Sequence, residues 1–386
     1  MKQKLDALLE RDLAKGDYVG ANAAVWRKGE PIYRRSIGLA DREAGTDMAP
    51  GTIFRVYSLT KPVTAVAVMQ LVEAGLLHTD TPVGWYMPEY NALRVIDADG
   101  GTHPAHETLL VRHLLNMTSG FPYPGDQDRS QRETASFYGD MTASWSTDAP
   151  IGTREYCRRM AEIPLRFEPG SHWDYGTSAD ILGGLIEVVS GMPLDRYLRT
   201  HIFDPLGMDD TGFFVPPEKI RRFAASYIPS GGTLVRDDQC YLGLNDQRSQ
   251  PAFLSGGAGL VSTIEDYGKF AAMLAGGGVY KGTRILSRRA IDAIRTPQVF
   301  GEGFSRDQDW DSLHGYAYGS LVRVLTDPAA AGTLATPGEF GWDGMTGCYF
   351  CADPSEELAI LFWIQRAYAG TSMTAKLMRN IVYGAL

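Results

Sequence analysis

The sequence predicts an α+β fold, an α/β sandwich with one antiparallel sheet built from both ends of the chain. Three observations carry that expectation. Short β-prone runs joined by tight turns occupy residues 21–37 and recur at 316–365, whereas the stretch between them reads mainly as helix. Strands that follow one another across short turns pair antiparallel, so both groups belong in one sheet. A helical pattern over 371–383 ends the chain. With 386 residues, 44% hydrophobic and 22% charged, the composition is that of a globular enzyme. We expect a single domain over 1–386. Residues 1–75 and 255–386 form its sheet-containing part, and 76–254 a mainly helical part with a lid-like loop at 121–155.

Composition also excludes. The formal charge is −9 and no Lys/Arg cluster stands out, so the electrostatic footprint of a nucleic-acid binder is missing. No apolar run approaches the length of a membrane span. The start of the chain is amphipathic, with Leu5, Leu8, Leu9 and Leu13 at helical spacing. It lacks the apolar segment and cleavage site of a signal peptide, and a cytoplasmic location is expected. Of Cys157, Cys240, Cys348 and Cys351, the last two have C-x-x-C spacing but lie in a strand-like run without a second pair. They are expected to be structural thiols rather than a zinc or redox site.

In chain order, residues 21–27 and 32–37 flank Lys28-Gly29-Glu30-Pro31 as a hairpin. A polar loop over 38–51 leads to an extended run, 52–57, and then to a helix. Residues 76–90 form an irregular connection. Residues 91–107 read as an exposed loop, with a metal site at His103 and His106 as the alternative. A short helix ends at Ser119-Gly120. Residues 121–155 show no period yet hold Phe121, Tyr123, Phe137, Tyr138 and Trp145. Long loops of this kind are usually functional, so a lid or pocket wall is expected, with a surface excursion as the alternative. Helices follow at 155–163, 178–190 and near 194–202. The glycine-rich run 255–263 reads as strand, since it lacks the G-K-[ST] of a phosphate loop. Thr263 caps a helix over 264–275, and 283–297 reads as another. Strands are expected at 316–325, 340–351 and 358–365.

The chemistry points to Val56-Tyr57-Ser58-Leu59-Thr60-Lys61-Pro62. Residues three apart share a helix face, which puts the Ser58 hydroxyl beside the Lys61 amine. A serine needs a base to become a nucleophile. A lysine serves once burial and the positive end of a helix lower its pKa. Chance supplies Ser-x-x-Lys readily, but this is the sole instance in the chain, and it heads an apolar helix where a solvated lysine is out of place. Tyr175, in a Gly/Ser/Thr-rich turn before the 178–190 helix, either aims its hydroxyl at a ligand or packs on the core. The G-x-S-x-G elbow of α/β-hydrolases is absent.

Together these segments resemble the superfamily of penicillin-binding proteins and serine β-lactamases, nearest to class C β-lactamases, D-amino-acid-processing peptidases and β-lactamase-like carboxylesterases. Ser58-Leu59-Thr60-Lys61 matches Ser-x-x-Lys. Tyr175-Gly176-Thr177 stands where the class C branch has Tyr-x-Asn, and Trp342-Asp343-Gly344 where β-lactamases have Lys-Thr-Gly on a sheet-edge strand. The resemblance implies Ser58, Lys61 and Tyr175 as the catalytic set. It implies the backbone N–H groups of Ser58 and Met345 as the oxyanion donors, and Thr177, Trp342, Asp343 and Gly344 as substrate-binding positions. No cofactor or metal is implied. Trp342 in place of the lysine removes the cation that meets a substrate carboxylate, so a small neutral ester or amide is the expected substrate. Asp343 either meets a cationic amine or points away. The alternatives are a β-lactamase or DD-peptidase, and an inactive sensor or binding protein on the same fold. The oligomeric state is left open.

Overall fold

The structure is a computed structural model that describes residues 1–300 and 313–386. Helix α1 (Lys2–Ala14) is followed by the hairpin β1 (Gly20–Arg27) and β2 (Glu30–Asp41), then by the short strands β3 (Thr46–Asp47) and β4 (Ile53–Arg55). The polar residues at 38–51, expected as loop, therefore extend β2 and supply β3. Helix α2 (Thr60–Glu73) comes next. The hairpin β5 (Arg94–Ile96) and β6 (Thr102–Pro104) replaces the exposed loop expected at 91–107. Four helices follow: α3 (Val111–Leu115), α4 (Arg129–Ser144), α5 (Thr153–Met160) and α6 (Ser178–Ser190).

Helix α4 corrects the reading of 121–155 as a loop. Its buried face is Ser130, Thr134, Phe137, Tyr138 and Met141. That stripe has helical spacing, but its first two members are polar, and this hides the period. Asp128 caps the helix by accepting from the Gln131 N–H at 2.9 Å.

Beyond α6 run α7 (Leu194–Leu198), α8 (Asp204–Leu206) and the hairpin β7 (Tyr227–Ser230) and β8 (Thr233–Arg236). Of the glycine-rich run only β9 (Val261–Thr263) is strand. Thr263 then caps α9 (Ile264–Ala275), accepting from Asp266 N–H at 3.2 Å. The hairpin β10 (Val279–Tyr280) and β11 (Thr283–Arg284) precedes α10 (Arg288–Ile294). The strand expected at 316–325 is two, β12 (Tyr316–Tyr318) and β13 (Arg323–Leu325). The one expected at 340–351 is also two, β14 (Phe340–Asp343) and β15 (Tyr349–Asp353). Strand β16 (Leu358–Trp363) and helix α11 (Met373–Tyr383) complete the chain.

One eight-stranded sheet has the order β12-β13-β14-β15-β16-β1-β2-β3. Strands from the two ends of the chain meet at its centre, where β1 pairs antiparallel with β16, Ala24 opposite Leu361. Both faces are covered. Ala21, Ala23, Val25, Tyr349, Cys351, Ile360 and Phe362 face a core shared with α1 and α11. Their neighbours Ala24, Trp26, Phe350, Leu361 and Trp363 face the larger core that holds α2 and α9. Burial on both sides explains why β16 is apolar throughout instead of alternating. Cys351 and Cys348 fall in these two different cores, as expected of structural thiols. Among the described residues, no helix is long and apolar enough to cross a membrane.

Truncating Leu361, fully buried in the central strand, removes contacts that the surrounding core cannot refill. Leu361→Ala is expected to cost about 2–5 kcal/mol, read as a lowered midpoint of urea unfolding.

Candidate active site

Strand β4 delivers the chain to a sharp corner. Tyr57 is buried with φ +43°, in the left-handed region, a conformation that costs a non-glycine residue about 1–3 kcal/mol. The corner is tied down on several sides. Thr60 Oγ1 donates to the Tyr57 carbonyl at 2.7 Å and accepts from Leu260 N–H at 3.1 Å. Tyr267 of α9 donates to the Leu59 carbonyl at 2.7 Å. The result is a tight helical turn over Tyr57–Leu59 that presents Ser58 at the head of α2.

Lys61, one turn on, is fully buried. Its Nζ donates to Ser58 Oγ at 3.1 Å, to Tyr123 Oη at 2.9 Å and to the Gly257 carbonyl at 2.9 Å. It also lies 4.7 Å from the ring centre of Tyr175. Burial pulls the Lys61 pKa down to about 7, against the opposing pull of Asp180 and Asp343. A substantial share of the amine is therefore unprotonated at neutral pH. Asp180, on α6, is buried in turn. It accepts from Gly257 N–H at 2.9 Å and from Ser255 Oγ, which fixes the glycine-rich turn whose carbonyl meets Lys61.

Tyr175 hydrogen-bonds Ser58 and accepts from Trp342 Nε1 at 2.9 Å. Burial drives its pKa up, outweighing those two hydrogen bonds, so the phenol keeps its proton. Gly176, which follows, approaches another backbone too closely for a side chain: a Cβ there would lie 1.9 Å from the Phe121 carbonyl oxygen. Tyr123, Trp173, Tyr318 and Trp342 surround Tyr175 with ring centres 5.3–6.2 Å apart along the chain of contacts.

Strand β14 supplies the opposite wall. Its pairing with β13 stops at Gly341, while pairing with β15 continues through Asp343. Among the described residues, one backbone edge of 342–345 is thereby left without a strand partner. Gly344 sits against the corner before Ser58, where a Cβ would come within 2.3 Å of the Val56 carbonyl oxygen. A turn closed by Gly344 N–H to the Cys348 carbonyl at 2.7 Å carries Met345. The backbone N–H groups of Ser58 and Met345 donate to no acceptor among the described residues.

The structure thus brings Ser58, Lys61, Tyr175, Trp342 and Gly344 together. Three expected substrate positions sit differently. Trp342 is buried and its single N–H is given to Tyr175, so it has no donor left for a ligand. Asp343 accepts from Arg323 Nη1 at 2.7 Å and from Thr371 Oγ1, so its carboxylate is already paired within the protein. Thr177 is fully buried, and its hydroxyl has no partner among the described residues. Sequence reasoning missed three members. Tyr123 lay in the aromatic segment already marked as functional. Asp180 was legible as an acid in the first turn of an otherwise apolar helix. The Gly257 carbonyl left no signal in residue type.

A buried Ser–Lys pair faced by a tyrosine and an open strand edge marks the class of serine hydrolases. Residues 5–383 match the family model described as Beta-lactamase, and the chain belongs to that family. Esterase EstB of Burkholderia gladioli is 34% identical over 392 residues, 98% of this chain and 94% of that protein. Among solved structures, EstCE1, a hydrolase with promiscuous acyltransferase activity, aligns with TM-score 0.84 at 24% identity, over 99% of this chain and 98% of that one. Simvastatin synthase (LovD) of Aspergillus terreus aligns with TM-score 0.81 at 22% identity, over 99% and 98%. The chain is a serine hydrolase of β-lactamase fold.

Replacing the hydrogen at Gly344 with a methyl group forces the strand end away from Val56. Gly344→Ala is expected to lower the rate of p-nitrophenyl ester hydrolysis by about 10²-fold, the order of loss that an ångström of misplacement brings. An unchanged rate would show that the close approach is dispensable.

Proposed function

We propose that the protein is a carboxylesterase that acts through an acyl-enzyme on Ser58, on small neutral esters, with amides of the same shape as slower substrates. The observation that carries this reading is the 3.1 Å hydrogen bond between Ser58 Oγ and a buried Lys61 whose pKa is lowered to about 7. A base near the working pH is what proton abstraction requires. In this mechanism Lys61 takes the hydroxyl proton as Oγ attacks the ester carbonyl. The developing oxyanion lies between the N–H groups of Ser58 and Met345, each worth about 3 kcal/mol of transition-state stabilisation in comparable sites. Tyr175 stays protonated and hydrogen-bonded to Ser58, which suits it to hand a proton to the departing alkoxide and recover one through Lys61. Water then attacks the acyl carbon, and the same groups run in reverse to free the acid and restore the Ser58 hydroxyl.

The preference for neutral substrates follows from charge. Where β-lactamases carry the Lys-Thr-Gly lysine, Trp342 offers an indole whose N–H is occupied. Arg323, behind it, is paired with Asp343 at 2.7 Å. A substrate carboxylate entering here meets no free cation among the described residues, and an unpaired buried charge is costly. The esterase relative at 34% identity supports the same choice. Segment 121–155 enters the proposal as a wall of the acyl pocket, since Tyr123 reaches Lys61.

The deciding experiment compares p-nitrophenyl butyrate hydrolysis by the wild type and by Ser58→Ala. Loss of activity in the variant is expected, and equal rates would overturn the reading. The pH profile tests Lys61 separately. Protonation below the folded pKa removes the base, so kcat/KM is expected to fall about tenfold per pH unit below an apparent pKa near 7. Above it, a plateau is expected. Lys61→Arg, which stays protonated, should lose activity at every pH. A profile flat through pH 7 would exclude Lys61 as the base.

A further inference from the structure

Away from the active site, donor atoms from two separate segments converge on the surface. His103 lies on β6, and His106 in the bend that leaves it. Glu168 comes from the segment that leads to Tyr175. Glu168 Oε1 lies 3.1 Å from His103 Nε2 and 3.3 Å from His106 Nδ1. The three ligand atoms are all within 4.8 Å of one another.

We propose that His103 Nε2, His106 Nδ1 and Glu168 Oε1 bind one divalent transition-metal ion, best matched by zinc, with water in the fourth position. Four geometric features argue for it. Zinc–nitrogen and zinc–oxygen bonds of about 2.0–2.1 Å set tetrahedral ligand atoms roughly 3.3–3.4 Å apart, close to the two distances from the Glu168 oxygen. The remote nitrogen of His103 is already engaged: Nδ1 lies 2.7 Å from Asp97 Oδ1. That carboxylate–histidine pairing orients a metal-bound imidazole and raises its basicity. Glu168 is held from behind, where Oε2 accepts the backbone N–H groups of His106 at 3.0 Å and Glu107 at 3.1 Å. The imidazole rings are themselves stacked, with centroids 4.9 Å apart, so both present nitrogens to one side.

Two imidazoles and one carboxylate suit zinc, and nickel or copper after it. They do not suit calcium or magnesium, which take oxygen ligands. The expectation of an exposed loop here did not foresee Glu168, which the fold brings in from 62 to 65 residues away. There, Leu165 N–H donates to the Arg94 carbonyl at 2.7 Å, and Ile96 N–H to the Leu165 carbonyl at 2.9 Å. An ion at this place fastens the β5–β6 hairpin to the segment that ends in Tyr175, so its effect falls on stability rather than on the chemical step.

The test uses the full chain, free of any affinity tag and stripped with a chelator, titrated with zinc chloride by calorimetry and followed by thermal melting. We expect one zinc per chain and a melting temperature raised by zinc. Both effects should be absent in His103→Ala and Glu168→Gln. Asp97→Asn should bind about 10–100-fold more weakly, the usual cost of losing such an outer partner. Magnesium should give no binding heat. If Glu168→Gln does not fold, His106→Ala, whose side chain is 78% exposed, decides in its place. Failure of the wild type to take up zinc saturably, or uptake undiminished in the ligand variants, overturns the proposal and leaves a hydrogen-bonded cluster only.

Discussion

An amine without water is the constraint on which this interior depends. Lys61 is enclosed on α2, a helix that is buried on nearly every side. Desolvating an ammonium there is expensive, and the structure meets the cost partly by lowering the amine's proton affinity and partly by surrounding it with acceptors. Those acceptors come from distant parts of the chain: a hydroxyl from Ser58, a phenol from Tyr123 and a carbonyl from Gly257. Each needs its own support. Asp180 holds the Gly257 turn, and the Thr60 and Tyr267 hydroxyls hold the strained corner at Tyr57. Much of the polar order inside the protein can be traced outward from this one nitrogen.

The aromatic wall is the second consequence. A cation near Lys61 would suppress its ionisation further but compete for the same desolvated space. This chain keeps an indole at position 342 and locks it to Tyr175 through its N–H. Arg323, behind that indole, is buried with Asp343 as its counter-ion. The sheet beneath the site therefore carries charge in neutralised form, and the site itself is lined by rings. Tyr175, raised in pKa by burial, belongs to that lining as much as to the polar network.

How much of this was legible in the sequence depended on the kind of signal. The two-ended sheet, the limits of α6 and α9 and the Thr263 cap could be read because residue type decides them. Ser58 and Lys61 were legible because their spacing is helical and their neighbours are apolar. Helix α4 was not, because Ser130 and Thr134 occupy its buried stripe. The hairpin in 316–325 and the split of 340–351 were missed although Gly319-Ser320 and Gly344 with Gly347 are turn signals, because apolar residues on both sides of each turn read as one continuous run. For Asp343 the sequence leaves the direction of the side chain open, and its partner, Arg323, lies twenty residues away. The His103–Glu168 cluster shows the same limit: Glu168 lies more than sixty residues from His103 and His106 and meets them only through tertiary structure.

The pairing of β1 with β16 has a consequence for how the protein comes into being. The Ser58 corner is made long before the strand end that faces it, Trp342–Gly344. The central strand pair itself joins residues more than three hundred positions apart, Ala24 opposite Leu361. Contacts of such long sequence separation are slow to form, because loop closure must precede them. A growing chain thus carries Ser58 and Lys61 for most of its synthesis without the sheet that buries them. The nucleophile corner and the wall opposite it come together only once β14, β15 and β16 have been made, so the site cannot form on the segment that carries its nucleophile alone.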